Sequence, residues 1–139
     1  MLRTLSATLV LMLATQAATA ADLRVKVDGI TKPTGTLIAM LVNSTDAWDG
    51  TSAPVSGRQE VIAATGSYEL VFKDLAPGDY AIRVMHDDNG NGELDRSPVG
   101  MPTEGYGFSN NPSVMRAATF EEARFTVPMA GASIAIALR

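Results

Sequence analysis

Tyr68-Glu69-Leu70-Val71-Phe72-Lys73-Asp74-Leu75-Ala76-Pro77-Gly78-Asp79-Tyr80-Ala81-Ile82-Arg83-Val84-Met85 sets the class of fold. Successive side chains of a strand point to opposite faces. Tyr68, Leu70 and Phe72 therefore share one face, with Glu69, Val71 and Lys73 on the other. Tyr80, Ile82 and Val84 alternate in the same way with Ala81, Arg83 and Met85. Pro77-Gly78 between the two runs suits a tight turn, because Pro presets the first central dihedral and Gly accepts a positive one.

Working outward, Leu23 to Asp28 alternates apolar and charged residues as a half-buried strand does. Gly29 and Lys32-Pro33-Thr34-Gly35 make a turn. Thr36 to Asn43 is nearly all apolar and predicts a central strand covered on both faces. A polar loop follows from Ser44 to Gly57, carrying Trp48 and Pro54. Arg58 to Ala63 and Tyr68 to Phe72 flank Ala64-Thr65-Gly66 and predict a hairpin. Arg96 to Thr119 shows no clear period, apart from a single helical turn expected at Thr119 to Glu122 with Thr119 as its cap. Ala123 to Val127 and Ala132 to Leu138 are expected as the last strands, with Ile134, Ile136 and Leu138 on one face. About seven short strands and no convincing amphipathic helix predict an all-β, antiparallel two-sheet sandwich, Ig-like or prealbumin-like.

The amino terminus predicts a signal peptide over residues 1–20. Arg3 supplies a charge, Leu5 to Leu13 an apolar run, and Ala18-Thr19-Ala20 a small-x-small cleavage pattern. That run is too short to span a bilayer, which needs about 20 apolar residues. The expected mature chain, residues 21–139, is one domain, large enough to need no staple. The chain has no cysteine. Without the leader's Arg3, its 11 basic and 15 acidic residues give a net charge of −5. Such a chain is a poor partner for nucleic acid or an anionic membrane surface. The expectation is an exported protein, periplasmic or extracellular, with no integral membrane span.

The chemistry concentrates in His86-Asp87-Asp88-Asn89-Gly90-Asn91-Gly92-Glu93-Leu94-Asp95. With Asp87 as position one of a calcium loop, Asn89 and Asn91 fall at three and five and Gly92 at the sharp turn. Glu93 offers its carbonyl at seven and Asp95 falls at nine. Position twelve, which should be a bidentate Glu, is Pro98. Asp88, Glu104, Glu121 and Glu122 are the candidates for the missing ligand. Two readings stay open: a weak calcium site of about 10⁻⁴–10⁻³ M, or a metal-free turn, since Asn and Asp fold back on their own backbone. His86, the only histidine, sits at a strand end and is expected to be packed or hydrogen-bonded rather than a metal ligand.

Pro98 to Pro112 is a second feature, because structureless connections of this length are unusual in a compact domain. The ligand-facing reading takes Glu104, Tyr106, Phe108, Ser109 and Asn110 as its contacts. The alternative is a self-packed loop whose aromatics cover one edge of the sandwich. No catalytic constellation is recognisable: there is no cysteine nucleophile, and His86 lies among carboxylates with a simpler explanation. Asp95 and Glu104 could serve glycoside hydrolysis only at a separation of about 5–9.5 Å.

Leu75-Ala76-Pro77-Gly78-Asp79-Tyr80 resembles the Leu-x-Pro-Gly-x-Tyr turn of prealbumin-like and collagen-adhesin B-type modules. The longer series from Leu75 to Asn111 runs through Pro77-Gly78-Asp79-Tyr80, His86 to Asp95, and Gly100-Met101-Pro102-Thr103-Glu104-Gly105-Tyr106-Gly107-Phe108-Ser109-Asn110-Asn111. It is similar to a bacterial family catalogued as domain of unknown function 2141. The resemblance implies an exported sandwich and no catalytic residue. The function expected is a non-catalytic binding or structural module with a calcium-capable loop. The alternative is a module that binds a small ligand or glycan through Trp48, Tyr106 and Phe108. A protein or glycan of the cell envelope is the partner class that fits, and a hydrolase is the third reading.

Overall fold

The computed structural model describes residues 20–139, so the expected leader, apart from Ala20, lies outside the described residues. Eight strands and two short helical turns follow in order: β1 (Ala21–Ile30), β2 (Thr36–Val42), α1 (Thr45–Trp48), β3 (Ser56–Val61), β4 (Gly66–Leu75), β5 (Gly78–Asp87), β6 (Tyr106–Phe108), α2 (Phe120–Ala123), β7 (Phe125–Val127) and β8 (Ala132–Ala137). They form a two-sheet β-sandwich. One sheet has the order β4-β1-β8; the other runs β3-β2-β5-β6, with β7 paired to the start of β5. The pairings are antiparallel except β1 with β8, which run parallel.

The core follows from the alternation. Leu23, Val25 and Val27 of β1 meet Leu37, Ala39 and Leu41 of β2, with Leu70 and Phe72 of β4 and Tyr80, Ile82 and Val84 of β5. The Pro77-Gly78 corner carries the chain from the first sheet to the second. Tyr80 holds that corner by donating its hydroxyl to the Ala76 carbonyl at 2.5 Å.

Three expectations are corrected. The expected hairpin between Arg58–Ala63 and Tyr68–Phe72 is a crossing instead, because β3 pairs with β2 while β4 pairs with β1. The Ala63 and Ala64 amides there donate to the Tyr68 hydroxyl, each at 3.0 Å, in place of a strand partner. Second, the irregular stretch from Arg96 to Thr119 contains β6, too short to show a period. Third, β2 is central, yet only its inner face is fully covered; Ile38 and Met40 on the outer face are half-buried. Ser44 also caps a helical turn within the expected polar loop, accepting from the Ala47 amide at 3.2 Å.

α2 forms where its cap is. Thr119 accepts from the Glu122 amide, and Glu122 accepts from the Thr119 amide at 2.9 Å, a reciprocal capping box. α1 and α2 build a second, smaller core. Trp48, Phe120, Ala118 and Ala123 lie over Val42 and Ala81, on the outer face of the β3-β2-β5-β6 sheet.

Candidate functional site

β5 delivers Asp87 into the acidic loop as a buried residue, 2 % exposed. Burying a carboxylate is tolerable only if its oxygens are satisfied. Asp87 Oδ1 accepts from the amides of Gly90 at 2.8 Å and Asn91 at 3.2 Å, and Oδ2 from Gly92 at 2.7 Å. Gly90 and Gly92 both have positive φ, the conformation that lets the chain curl around one carboxylate. Asn89 accepts from the Asn91 amide at 3.1 Å, and Asn91 from the Glu93 amide at 3.0 Å. Both Asn side-chain amides donate to Asp95, that of Asn91 at 2.7 Å.

Glu104 is the ligand the loop sought from elsewhere, but it reaches backbone. It is 6 % exposed and accepts from the Asp88 amide through Oε1 and the Asp95 amide through Oε2, both at 2.9 Å. It therefore ties the two ends of the loop together. On the other side lies the β1–β2 turn. Lys32 pairs with Asp88 and, chiefly through that bond, holds the Asp88 carboxyl below its ordinary range. His86, buried, donates from Nε2 to the Thr34 carbonyl at 2.7 Å. Gly35 permits this approach: a Cβ there would lie 2.1 Å from the Asp87 carbonyl oxygen.

Of the five calcium-spaced residues, Asn89, Asn91 and Asp95 are brought into mutual hydrogen-bonding reach, and Asp87 is bound to the same backbone curl. Glu93 is exposed, with its carbonyl the only group the spacing assigns to an ion. Glu121 and Glu122 belong to α2 and bond to Arg124 and Arg116. Among the described residues no three His, Cys, Asp or Glu side chains form a ready metal centre. The set here is two carboxylates, two side-chain amides and a carbonyl. Neither Asp87 nor Asp95 has an ion pair among the described residues.

The residues of the second loop part company. Tyr106 and Phe108 lie on β6, opposite Met85 and Arg83 of β5, which in turn face Ile38 and Met40 of β2. Two rows thus cross the outer face of the sheet: Ile38-Met85-Tyr106 and Met40-Arg83-Phe108. They form the floor of a groove of about 290 Å³, walled by Leu94 and Arg96 from the acidic loop and by Ala117. The groove runs on into a second hollow of about 370 Å³ that shares Leu94, Arg96, Tyr106 and Phe108 and reaches Met101, Met115 and Arg139. Arg139 lies over the Tyr106 and Phe108 rings, 5.5 and 5.9 Å from their centroids.

Ser109 and Asn110 turn away from the groove, as Glu104 does. Buried Ser109 accepts from the Ile82 amide at 2.9 Å and donates to the Ala123 carbonyl at 2.5 Å. Asn110 and Asn111 both adopt positive φ. Asn110 donates to the Arg124 carbonyl, while Asn111 bonds Ala135 and Ala137 along the edge of β8 at 3.0 and 2.8 Å. Gly107 lets β6 press on β8, since a Cβ would come within 2.8 Å of the Ala137 oxygen and the Ile136 side chain. Trp48, expected as a ligand contact, is 7 % exposed and donates its indole N–H to the Ala118 carbonyl at 2.9 Å. It supports the face from behind. Ile38, Met40 and Met85 are floor residues that the sequence reading does not single out; the signal for Ile38 and Met40 is the nearly unbroken apolar run of β2, and for Met85 its outward place in the alternation of β5.

The fold and this geometry define a small two-sheet sandwich with one sheet face carrying an apolar groove beside an acidic loop. The chain belongs to the family described as uncharacterized protein conserved in bacteria, domain of unknown function 2141, whose model matches residues 25–135. No match was found among curated proteins or among solved structures. Among the described residues no helix is long and apolar enough to cross a membrane.

Proposed function

We propose that the protein is an exported, non-catalytic module that binds a small apolar or amphipathic ligand on the outer face of its β3-β2-β5-β6 sheet. One observation carries this reading: Ile38, Met40, Met85, Tyr106 and Phe108 are set side by side by strand register and left partly open. A concave, partly open apolar surface with few polar groups suits a small ligand. Of the polar residues expected in the ligand-facing loop, Glu104, Ser109 and Asn110 are engaged with backbone elsewhere and Tyr106 remains in the groove. Export is supported by the order of charge, apolar run and small residues in the first twenty positions. Against the Asp95–Glu104 pair as a hydrolytic site stands the engagement of both Glu104 oxygens by backbone amides.

The neutral fluorescent probe phenylnaphthylamine tests the groove. Its emission should rise on adding the folded protein, and Met85→Lys should remove the rise while leaving the melting temperature within a few degrees. No rise with the wild-type protein would sink the reading.

The acidic loop favours a second property, weak calcium binding by Asp87, Asn89, Asn91, Asp95 and the Glu93 carbonyl. The favouring observation is that Asp95 and Asp87 meet only neutral donors, leaving their charge uncompensated. Calcium at 100 times its dissociation constant stabilises by about 2.7 kcal/mol. The melting temperature should therefore rise in ~10 mM calcium, and Asp95→Asn should blunt the rise. An unchanged melting temperature would leave the loop a purely hydrogen-bonded clasp.

A further inference from the structure

Building on the groove reading above, we propose that the occupant is an anionic amphiphile with one medium-length apolar chain, of the decanoate type, whose carboxylate is met by Arg96 and Arg83. The described lining of the groove and of its outer extension contains four charged side chains, Arg83, Arg96, Arg116 and Arg139, and no carboxylate side chain. This is a local reversal, because acidic residues outnumber basic ones, 15 to 11, over the chain as a whole.

The four arginines differ in what they have left to offer. Arg116 is already held by both Glu122 oxygens at 2.8 Å, and Arg139 donates to the Pro112 and Val114 carbonyls. Arg96 makes one hydrogen bond, from Nη1 to the Gly100 carbonyl at 3.1 Å. The rest of a guanidinium's five donors are then open to a ligand. Arg83 stands in the floor with its guanidinium 5.0 Å from the centre of the Trp48 ring and one N–H given to the Trp48 carbonyl. Its Nε is buried with no hydrogen-bond partner. Nε is sealed from the groove, so Arg83 acts on a bound carboxylate through its positive charge in the floor.

The body of the ligand follows from the floor. The rows of Met, Ile, Tyr and Phe offer dispersion contact and almost no hydrogen bonding, which suits a flexible alkyl chain; thioether side chains adapt readily to such shapes. A groove of about 290 Å³ lies at the small end of ligand pockets, roughly 300–1,000 Å³, and suits one short chain.

Displacement of phenylnaphthylamine by decanoate and by decanol, at neutral pH, separates head group from tail. Decanoate should bind about tenfold tighter or better, the scale of one charge-assisted hydrogen bond. Arg96→Gln should cut the preference for decanoate over decanol several-fold, with Arg83 retaining the remainder, and should lower decanol affinity less than decanoate affinity. Equal binding of the two by the wild type, or an Arg96→Gln protein whose preference is undiminished, overturns the anion assignment and leaves the groove standing. Displacement by a neutral sugar instead overturns the choice of ligand class. A wild-type protein that binds no probe removes the groove reading and this inference together.

Discussion

The two outer faces of the sandwich have opposite chemistry. On the β4-β1-β8 sheet the outward residues are Arg24 and Lys26 of β1 beside Glu69 of β4 and Ser133 of β8, with ion pairs Arg24–Glu69 and Lys26–Asp28 at 3.0 Å. Arg24, Lys26 and Glu69 are more than half exposed there, and such pairs contribute little stability. On the other sheet the corresponding positions carry Ile38, Met40, Met85, Tyr106 and Phe108. One end of that face is covered by Trp48 and Phe120 of the second core, and the other end is the groove. An antiparallel sheet with one solvated face is expected to alternate apolar and polar residues. The face that breaks the rule without being fully covered is where binding is to be sought.

The largest test of this contrast compares the two sides of β5. Ile82 points inward and is fully buried, so Ile82→Ala should lower the unfolding free energy by about 2–5 kcal/mol in urea denaturation. Met85 points outward on the same strand, and Met85→Ser should cost about 1 kcal/mol or less while weakening probe binding. Equal costs would mean that the outer row is part of the core and not a ligand face.

Next in size is the clasp that holds the groove wall. Asp87→Ala would leave three loop amides without their acceptor, and a cost of about 2–3 kcal/mol is expected. Glu104→Gln would retain one acceptor but turn an amide NH₂ toward a backbone N–H at Asp88 or Asp95, for about 1–3 kcal/mol. Hydrogen exchange at Asp88 and Asp95 should accelerate in both variants. Because Leu94 and Arg96 continue from this loop, probe affinity should fall more than the stability loss alone explains.

How much of this was legible in the sequence depends on the range of the interaction. The strands from Leu23, Thr36, Tyr68 and Tyr80 announce themselves because alternation is local, and the Thr119 cap does so because its Glu122 partner is three residues away. The false hairpin at Ala64-Thr65-Gly66 shows the limit. A turn signal states that the chain reverses, not which sheet the next strand joins, and β4 goes to β1 because Leu70 and Phe72 find their inward face there. β6 was hidden because three residues carry no period. Glu104 was named among the possible completing ligands of the acidic loop, but composition could not show that its carboxylate would face amides instead of an ion. Ser109 and Asn110, expected as ligand contacts, prove to be staples, as does their neighbour Asn111, because their side chains satisfy backbone groups of the segments packed beside them.

The smallest effect sharpens the contrast at its covered end. Glu122 closes the cap of α2 and pairs with Arg116; the hydrogen bonds from Arg116, and then that to the Thr119 backbone, pull its carboxyl from 4.5 down to about 2. A carboxyl whose folded value lies below its unfolded one adds stability that is complete above the unfolded value and is lost as pH falls toward the folded one. Here that window runs from about 4.5 down to about 2. Phe120 and Ala123 of α2 pack with Trp48, so loosening α2 uncovers the ring that closes this end of the apolar face. The chain has one tryptophan, and its emission reads this corner alone. Acidification through that window should shift the Trp48 emission to the red before the far-ultraviolet dichroism of the sheets changes. Glu122→Gln should show the shifted emission already at neutral pH, with no further shift over the same window. If emission and dichroism instead change together in the wild type, the second core and the sandwich unfold as one unit, and the covered end of the face is as permanent as the inner core.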